Sequence, residues 1–292
     1  MEHKISSPYL TVTVSELGAE LRSIKDADGT EYLWQGDPAY WSDRAPNIFP
    51  YVARLTKGSY YLDGKLFEMK PHGFALGECF KVISKKDNEL VLELTDREVT
   101  YEQYPRRFSL RVKYIVDGAT LKIIFSVTNR DERTMYFGIG GHPGFNVPLT
   151  AELEFDDYYL EFDGECSPKR IGFTPTCYLN GERADFPLED GRIIKLSHGI
   201  FSDDAIVLTD VSDKVTLKTA KDSRSVTVSY PKMKFLGIWH RPNTDAPYVC
   251  IEPWSSLPST QDLISVFEAQ KDLVTLEPDK TEDFPWEITV KY

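Results

Sequence analysis

Short stretches of alternating apolar and polar residues, separated by turn dipeptides, constrain the fold of this chain more than any other feature. The longest is FSLRVKYIVDGATLKIIFSVTN, which predicts two strands of about eight residues joined near Asp117-Gly118. Successive side chains of a strand point to opposite faces, so this pattern gives each strand one apolar face. The Asp-Gly pair tolerates the positive φ that tight hairpin turns need. The segment therefore predicts an antiparallel hairpin.

The same arrangement recurs along the chain. Three further hairpins are predicted, with turns at Asp63-Gly64, around Asp87-Asn88 and near Lys221-Asp222. The segments DLVTLEP and WEITVKY predict two more strands near the end of the chain. Antiparallel pairing of neighbouring strands is therefore expected throughout.

Only one segment has a clear helical pattern. It runs from Ser259 to Gln270, with Ser259 as a possible N-cap and Asp262 at the third helical position. Strands do not alternate with helices, and no linker rich in Pro, Gly or Ser divides the chain. We therefore expect residues 1–292 to form one all-β domain, a large antiparallel β-sandwich with few short helices.

Charge and composition exclude several classes of partner. The formal net charge is −12, whereas nucleic-acid binding needs a basic face. No run approaches the roughly 18 apolar residues of a membrane-spanning helix, and MEHKISSPYLTVTV lacks the apolar core of a secretory signal. The cysteines Cys79, Cys166, Cys177 and Cys250 have no CxxC spacing and are expected to be reduced thiols. A cytoplasmic protein is expected.

Two of the five histidines lie in loops between strands, flanked by proline and glycine. His142 is in GIGGHPGFNVP and His72 is in KPHGFALGECF. Loops on a rigid β scaffold often carry functional side chains, and a pKa near 6.5 suits proton transfer at neutral pH. Taken separately, each is equally a turn residue or a catalyst. His3 lies in the terminal segment, His198 favours a structural turn, and His240 stays open between the two interpretations.

One acidic and one basic residue follow apolar runs. In PYVCIEPW, alternation puts Glu252 at the end of a buried strand that Pro253 stops, where burial would raise its pKa and make it a competent base. The alternative is an ion pair with a residue such as Arg241. Arg54, in NIFPYVARLTKG, could bind sugar hydroxyls or a carboxylate through its planar guanidinium.

Other residues extend this candidate set. Asp203 and Asp204 precede the apolar run AIVL, so one of them could face the same cavity or cap a solvated turn. Of the tryptophans that could stack on a sugar, Trp239 is favoured because it adjoins His240; the others are Trp34, Trp41 and Trp254, for which core packing is the alternative. Walker, GxGxxG, HExxH and GxSxG motifs are missing. The set predicts proton transfer on a polyhydroxylated ligand, with no metal or cofactor.

Four stretches together resemble a known family. EYLWQGDPAYWSDRAPNIFPYVARL, PHGF, GGHPGFN and CIEPW are similar, in this order, to motifs of the aldose 1-epimerase (galactose mutarotase-like) superfamily, especially its LacX-like branch. They span the chain from about Tyr32 to Trp254. The resemblance implies the mutarotase supersandwich fold and a cofactor-free isomerase, a monomer or homodimer, acting on an aldohexose.

The resemblance also implies roles for individual residues. His142 would be the general acid on the ring oxygen, and Glu252 the general base on the anomeric hydroxyl. His72 and Arg54 would position the substrate, and Asp204, rather than the adjacent Asp203, would bind it.

The loop around His142 is expected to hold its imidazole rigidly. Gly140 and Gly141 would let the backbone turn tightly, Pro143 would stiffen the exit, and Phe145 would form an apolar wall beside the imidazole and the substrate.

Two departures from the family pattern bear on the substrate. ARLTKG replaces a longer asparagine-containing motif, so a preference for galactose is not implied. Leu76 follows HGFA, where hexose-6-phosphate 1-epimerases often carry an arginine, and this favours an unphosphorylated sugar. Arg44, Lys57 or Arg241 could replace the missing cation.

The expected activity is the interconversion of α and β anomers by ring opening and closure. The alternatives are a hexose-6-phosphate 1-epimerase and a catalytically silent sugar-binding protein on the same fold. A glycoside-active enzyme with Asp204 and Glu252 as its carboxylate pair is a third, and it would leave the histidine loops unexplained.

Overall fold

The computed structural model describes residues 1–292, and its regular secondary structure is mainly antiparallel β-sheet. The larger main sheet contains nine strands: β7 (Lys81–Lys85), β8 (Glu89–Thr95), β9 (Phe108–Asp117), β10 (Thr120–Asn129), β14 (Tyr158–Phe162), β17 (Ile193–Lys195), β19 (Lys214–Thr219), β20 (Ser225–Ser229) and β25 (Thr281–Lys291). Their order is β17-β14-β19-β20-β25-β10-β9-β8-β7.

The second main sheet contains eight strands and carries the residues of interest for function. They are β4 (Asn47–Ile48), β12 (Gly140–Gly141), β13 (Gly144–Asn146), β15 (Lys169–Phe173), β16 (Leu179–Asp185), β18 (Ile206–Thr209), β21 (Phe235–Trp239) and β22 (Tyr248–Trp254). Seven follow the order β16-β15-β18-β21-β22-β12-β4, and β13 also pairs with β22.

Three small sheets and a few helical turns complete the chain. The small sheets are β1 (Glu2–Ser6), β2 (Leu10–Ser15) and β3 (Leu21–Asp26); β5 (Ser59–Leu62), β6 (Lys65–Glu68) and β23 (Ser265–Val266); and β11 (Met135–Phe137) with β24 (Val274–Leu276). The α-helix is α1 (Glu98–Gln103), and the 3-10 turns are Thr56–Gly58, Ala75–Gly77, Phe155–Asp157, His198–Phe201 and Phe267–Ala269. None of these helices has the length and apolar composition that a membrane crossing requires.

The predicted hairpins are present, and their alternation builds the core between the two main sheets. Strands β9 and β10 pair over ten residues each, and β10 buries every second side chain, from Leu121 to Val127. From the opposite sheet, Val249 and Ile251 of β22 join the same apolar cluster. Full burial of such a side chain contributes roughly 1.5–3 kcal/mol. The other face of β22 is therefore free to carry different chemistry.

Two local predictions are wrong. The segment from Ser259 to Gln270 is not a continuous α-helix: Asp262 has a left-handed φ of 60°, and Ser265–Val266 forms β23, which pairs with β5. The strand with Glu252 does not stop at Pro253, since β22 continues to Trp254. Pro253 lies opposite Leu236 in the sheet.

Candidate functional site

A cavity of about 230 Å³ opens on the face of the eight-stranded sheet that points away from the main core. Alternation along β22 explains its position, because Glu252 and Trp254 point opposite to Val249 and Ile251. The lining residues come from β15, β18, β21, β22, the loops between them and earlier parts of the chain: Trp41, Ala53, Arg54, His72, His142, Phe173, Cys177, Asp203, Asp204, Ala205, Val207, Trp239, Glu252 and Trp254. Arg54 is the only arginine or lysine among them.

The loop of His142 joins β12 to β13, and its backbone N–H donates to the Pro46 carbonyl at 3.0 Å. The expected role of the two preceding glycines is wrong, because both lie in the extended strand β12. They are needed for close packing instead. A Cβ on Gly140 would lie 2.7 Å from the Pro253 oxygen, and one on Gly141 would lie 2.7 Å from the Trp286 ring.

His142 and Glu252, far apart in the sequence, meet in the cavity. Their Nε2 and Oε2 atoms are 3.2 Å apart, and the Glu252 side chain is 2% exposed. Burial and the charge of Asp204 raise the pKa of Glu252 well above its ordinary value. Burial and the neighbouring His72 lower the pKa of His142 well below its ordinary value. A proton donor and a proton acceptor therefore lie side by side at the end of the cavity.

The raised pKa of Glu252 predicts a stability effect that depends on pH. Below the ordinary value of 4.5 the carboxyl is protonated in both states, but above it only the unfolded chain ionises freely, so the group destabilises the fold. We expect Glu252→Gln to raise Tm at pH 7, by about 2 °C for each kcal/mol gained. Thermal unfolding across pH should show this gain shrinking as pH falls towards 4.5. A gain independent of pH, or one shared by exposed Glu102→Gln, would contradict it.

His72 approaches His142 from the other side of the cavity, with their ring centroids 5.5 Å apart. Its Nδ1 accepts from the Ala53 N–H at 3.3 Å, so the neutral ring carries its proton on Nε2. Burial and the charge of Arg54 lower the pKa of His72 to about 4. Arg54 itself is exposed, and no carboxylate pairs with it. His72 is therefore a neutral donor at pH 7, and Arg54 is available to a ligand.

Asp203 and Asp204 both line the cavity, so the choice between them depends on their contacts. The Trp239 Nε1–H donates to Asp204 Oδ1 at 2.6 Å, and the Cys177 thiol donates to Oδ2 at 2.7 Å. Asp203 has no side-chain hydrogen bond of this kind. Asp204 thus has a defined orientation in the cavity, together with Trp239.

The apolar neighbour of His142 is Trp41, not Phe145. The Trp41 and His142 rings are 4.9 Å apart at 31°. Phe145 lies opposite Val249 in the β13–β22 pair, so both side chains point into the core, and Phe145 is fully buried there. It does not line the cavity, and the expectation that it forms a wall beside the imidazole is wrong.

Several other residues considered from the sequence lie outside the cavity. His240 is fully buried, with its Nε2 3.1 Å from His198 Nδ1. Trp34 packs on Tyr248 with ring centroids 4.6 Å apart. The cavity lining contains none of the three residues that could replace the arginine missing after HGFA: Arg44, Lys57 and Arg241. Arg241 therefore does not pair with Glu252.

One cluster brings metal-ligating atom types together: the ligand atoms of His142, Cys250 and Glu252 lie within 4.8 Å of one another. Metal ligation by cysteine needs the thiolate. Burial and the Glu252 charge raise the pKa of the Cys250 thiol well above its ordinary value, and Cys250 is fully buried. Of the three residues, only His142 and Glu252 line the cavity, so a metal there would also have to draw a thiolate from the core.

Sequence reasoning missed Cys177 and Phe173 and did not select Trp41 or Trp254. Trp41 had a usable signal, since it lies within the longest stretch that resembles the family. Cys177 had none, because a single cysteine in TPTCYLN carries no motif. Only the folding of distant loops brings it beside Asp204.

Comparison with known proteins agrees with this architecture. The family model described as aldose 1-epimerase matches residues 1–289. Protein LacX (chromosomal) of Lactococcus lactis subsp. lactis is 33% identical over 300 residues, covering 99% of each chain. A galactose mutarotase related enzyme from Lactobacillus acidophilus is 33% identical, with a TM-score of 0.95 over 100% of this chain and 98% of that one. A galactose mutarotase-like protein from Lactobacillus casei ATCC 334 is 28% identical, with a TM-score of 0.93 over all of both chains. This chain belongs to the aldose 1-epimerase family, in its LacX-like branch.

Proposed function

We propose that this protein is a cofactor-free mutarotase that interconverts the α and β anomers of an unphosphorylated aldohexose. The observation that carries the proposal is the buried pair of His142 and Glu252, 3.2 Å apart at the cavity surface. Family membership supports the same reaction class. His72, Arg54, Asp204 and Trp239 surround the pair with hydrogen-bonding groups and an aromatic face suited to a sugar.

The mechanism needs one proton acceptor and one proton donor on the same sugar. Glu252 takes the proton from the C1 hydroxyl while His142 donates one to O5, so the C1–O5 bond breaks and an open aldehyde forms. Rotation about C1–C2 presents the other face of the aldehyde to the O5 hydroxyl. Ring closure then returns both protons with the two residues in exchanged roles. General acid and base steps typically contribute about 10²–10⁴-fold each.

The proton content of the pair is compatible with this cycle. Burial favours the neutral forms, with the proton on Glu252 and a neutral His142. The ion pair of carboxylate and imidazolium contains the same number of protons. A bound sugar can therefore meet either arrangement without a net exchange of protons with solvent. This is the condition for running the reaction in both directions at one pH.

The charges around the cavity favour a sugar without a phosphate group. Arg54 is its one lysine or arginine, whereas Asp203, Asp204 and Glu252 are acidic. A phosphate usually requires charge-assisted hydrogen bonds from several cations. The position after HGFA, which could have carried an arginine, is Leu76. The cavity lining also contains none of the three other candidate cations: Arg44, Lys57 and Arg241. Carboxylates accept from hydroxyl groups, which a neutral sugar presents in abundance.

Anomer exchange measured by NMR or polarimetry tests the proposal. Glucose, galactose and glucose 6-phosphate would each be followed with and without protein. We expect faster exchange for at least one free hexose and little effect on the phosphate ester. Saturable sugar binding without faster exchange would indicate a silent binding protein, and hydrolysis of an aryl glycoside would indicate the third alternative. Faster exchange of only the phosphate ester would overturn the substrate class.

The shifted pKa values also predict the pH dependence of activity. In its active form the pair of His142 and Glu252 shares one titratable proton. Activity therefore falls when a second titratable proton binds at low pH and when the shared proton leaves at high pH. The lowered pKa of His142 moves the acid limb below 6.5, and the raised pKa of Glu252 moves the alkaline limb above 4.5. We expect a bell-shaped kcat/KM profile bounded by these two limbs. An acid limb centred above 6.5 would contradict this.

A further inference from the structure

The thiol of Cys177 contacts the carboxylate of Asp204 at the edge of the sugar cavity. The Sγ and Oδ2 atoms are 2.7 Å apart, and both residues line the cavity. Cys177 lies in the loop between β15 and β16, and Asp204 lies in the loop before β18. The contact therefore joins two loops that the sequence separates by 27 residues.

Both residues lie at turns with a left-handed backbone conformation. Cys177 has a φ of 63° and Asp204 a φ of 75°, in the left-handed region. This conformation is uncommon for cysteine, whereas aspartate adopts it more readily. The Cys177 N–H donates to Thr174 and the Asp204 N–H donates to Phe201, at 2.9 and 3.0 Å. Each turn is closed by its own backbone, and the side chains meet at the two tips.

We propose that Cys177 is a positioning residue: its S–H and the Trp239 N–H together orient the Asp204 carboxylate towards the hydroxyl groups of the bound sugar. This rests on the proposed function, in which Asp204 binds substrate. Each donor occupies one carboxylate oxygen, so rotation of the carboxylate would break both contacts. The remaining lone pairs of those oxygens are left for the ligand.

The thiol can play this part only while it is protonated, since a thiolate would repel the carboxylate. Burial and Asp204 raise the pKa of Cys177 to about 11, whereas Arg54 opposes the shift. Cys177 therefore remains a donor throughout the neutral range. Its pKa also reports on the contact, because removing the Asp204 charge should lower it.

Thiol reactivity tests the contact without any catalysis. In a Cys79→Ser, Cys166→Ser background, only Cys177 is accessible to a disulfide reagent, because Cys250 is fully buried. Asp204→Asn should speed its reaction at pH 8 by roughly threefold for each unit that the pKa falls, because the thiolate fraction rises about tenfold while the nucleophilicity of the thiolate falls about threefold. Asp203→Asn is the matched control and should leave the rate unchanged. An unchanged rate in Asp204→Asn would overturn the contact.

Sugar kinetics test the consequence. Loss of one hydrogen bond at Asp204 should raise KM by about three- to tenfold in Cys177→Ala, with kcat little changed. Cys177→Ser retains an O–H donor and should restore most of the affinity. Cys166→Ala, at a half-buried thiol outside the cavity, is the control. A wild-type KM in Cys177→Ala would overturn the positioning role. If the wild-type protein shows no anomer exchange, the proposed function fails, while the thiol rates still decide the contact.

Discussion

Glu252→Gln and His142→Asn are each expected to slow anomer exchange by about 10²–10⁴-fold or more. Either substitution removes a group that accepts or donates the transferred proton, while leaving a side chain of similar shape. Sugar binding should largely survive, because His72, Arg54 and Asp204 still line the cavity. The double variant should be little slower than either single one, because the two groups act as a unit.

Exchange spectroscopy by NMR measures the rate, and titration with the same sugar measures binding. His198→Asn is the matched control, since that ring contacts His240 and lies outside the cavity. Ring opening that persisted in His142→Asn would make His142 a turn residue. Loss of binding together with rate would show that the pair organises the cavity, and a shared drop in Tm would reveal misfolding.

Gly73→Ala should produce the largest loss of stability among substitutions near the site. Gly73 has a φ of 75°, and an added Cβ would lie 2.2 Å from the Phe49 carbonyl oxygen. Left-handed strain and this backbone collision together should cost roughly 3 kcal/mol or more. Since Gly73 directly follows His72, relief of the collision would also displace that imidazole and weaken sugar binding.

Gly77→Ala is the control for this experiment, because Gly77 has no positive φ and a Cβ there would meet nothing within 4 Å. Urea unfolding should show a lower midpoint for Gly73→Ala and almost no change for Gly77→Ala. Equal stabilities would mean that the loop adapts to the methyl group. Normal sugar affinity in a destabilised Gly73→Ala would show that His72 is not positioned by this turn.

Sequence reasoning succeeded where the signal is local. The hairpin around Gly118 and the alternation in β22 follow from one rule, that successive side chains of a strand point to opposite faces. This pattern can be read from the sequence of a single strand. It failed at Ser259, where the pairing of β23 with β5 overrode a local N-cap pattern. It failed also at Phe145, because alternation within a three-residue strand could not be assigned without its partner β22.

In the candidate site, too, some features are local to the sequence and others depend on distant parts of the chain. The sequence alone gives the residue types and the order of the motifs that contain His142, Glu252, His72 and Arg54. These motifs led to the family. The proximity of the four was an inference from that resemblance. Their geometry depends on pairings across the sheet, such as β22 with β12 and β13.

The sequence by itself determined an all-β chain and the chemical groups of the candidate site, because alternation and residue type are local. Only the tertiary structure decided that Gly140 and Gly141 serve close packing, that Trp41 lies beside His142, and that Cys177 contacts Asp204. These relations join residues distant in the chain. Their distances, burial and shifted pKa values arise only when strands of the eight-stranded sheet and loops from earlier in the chain enclose one cavity.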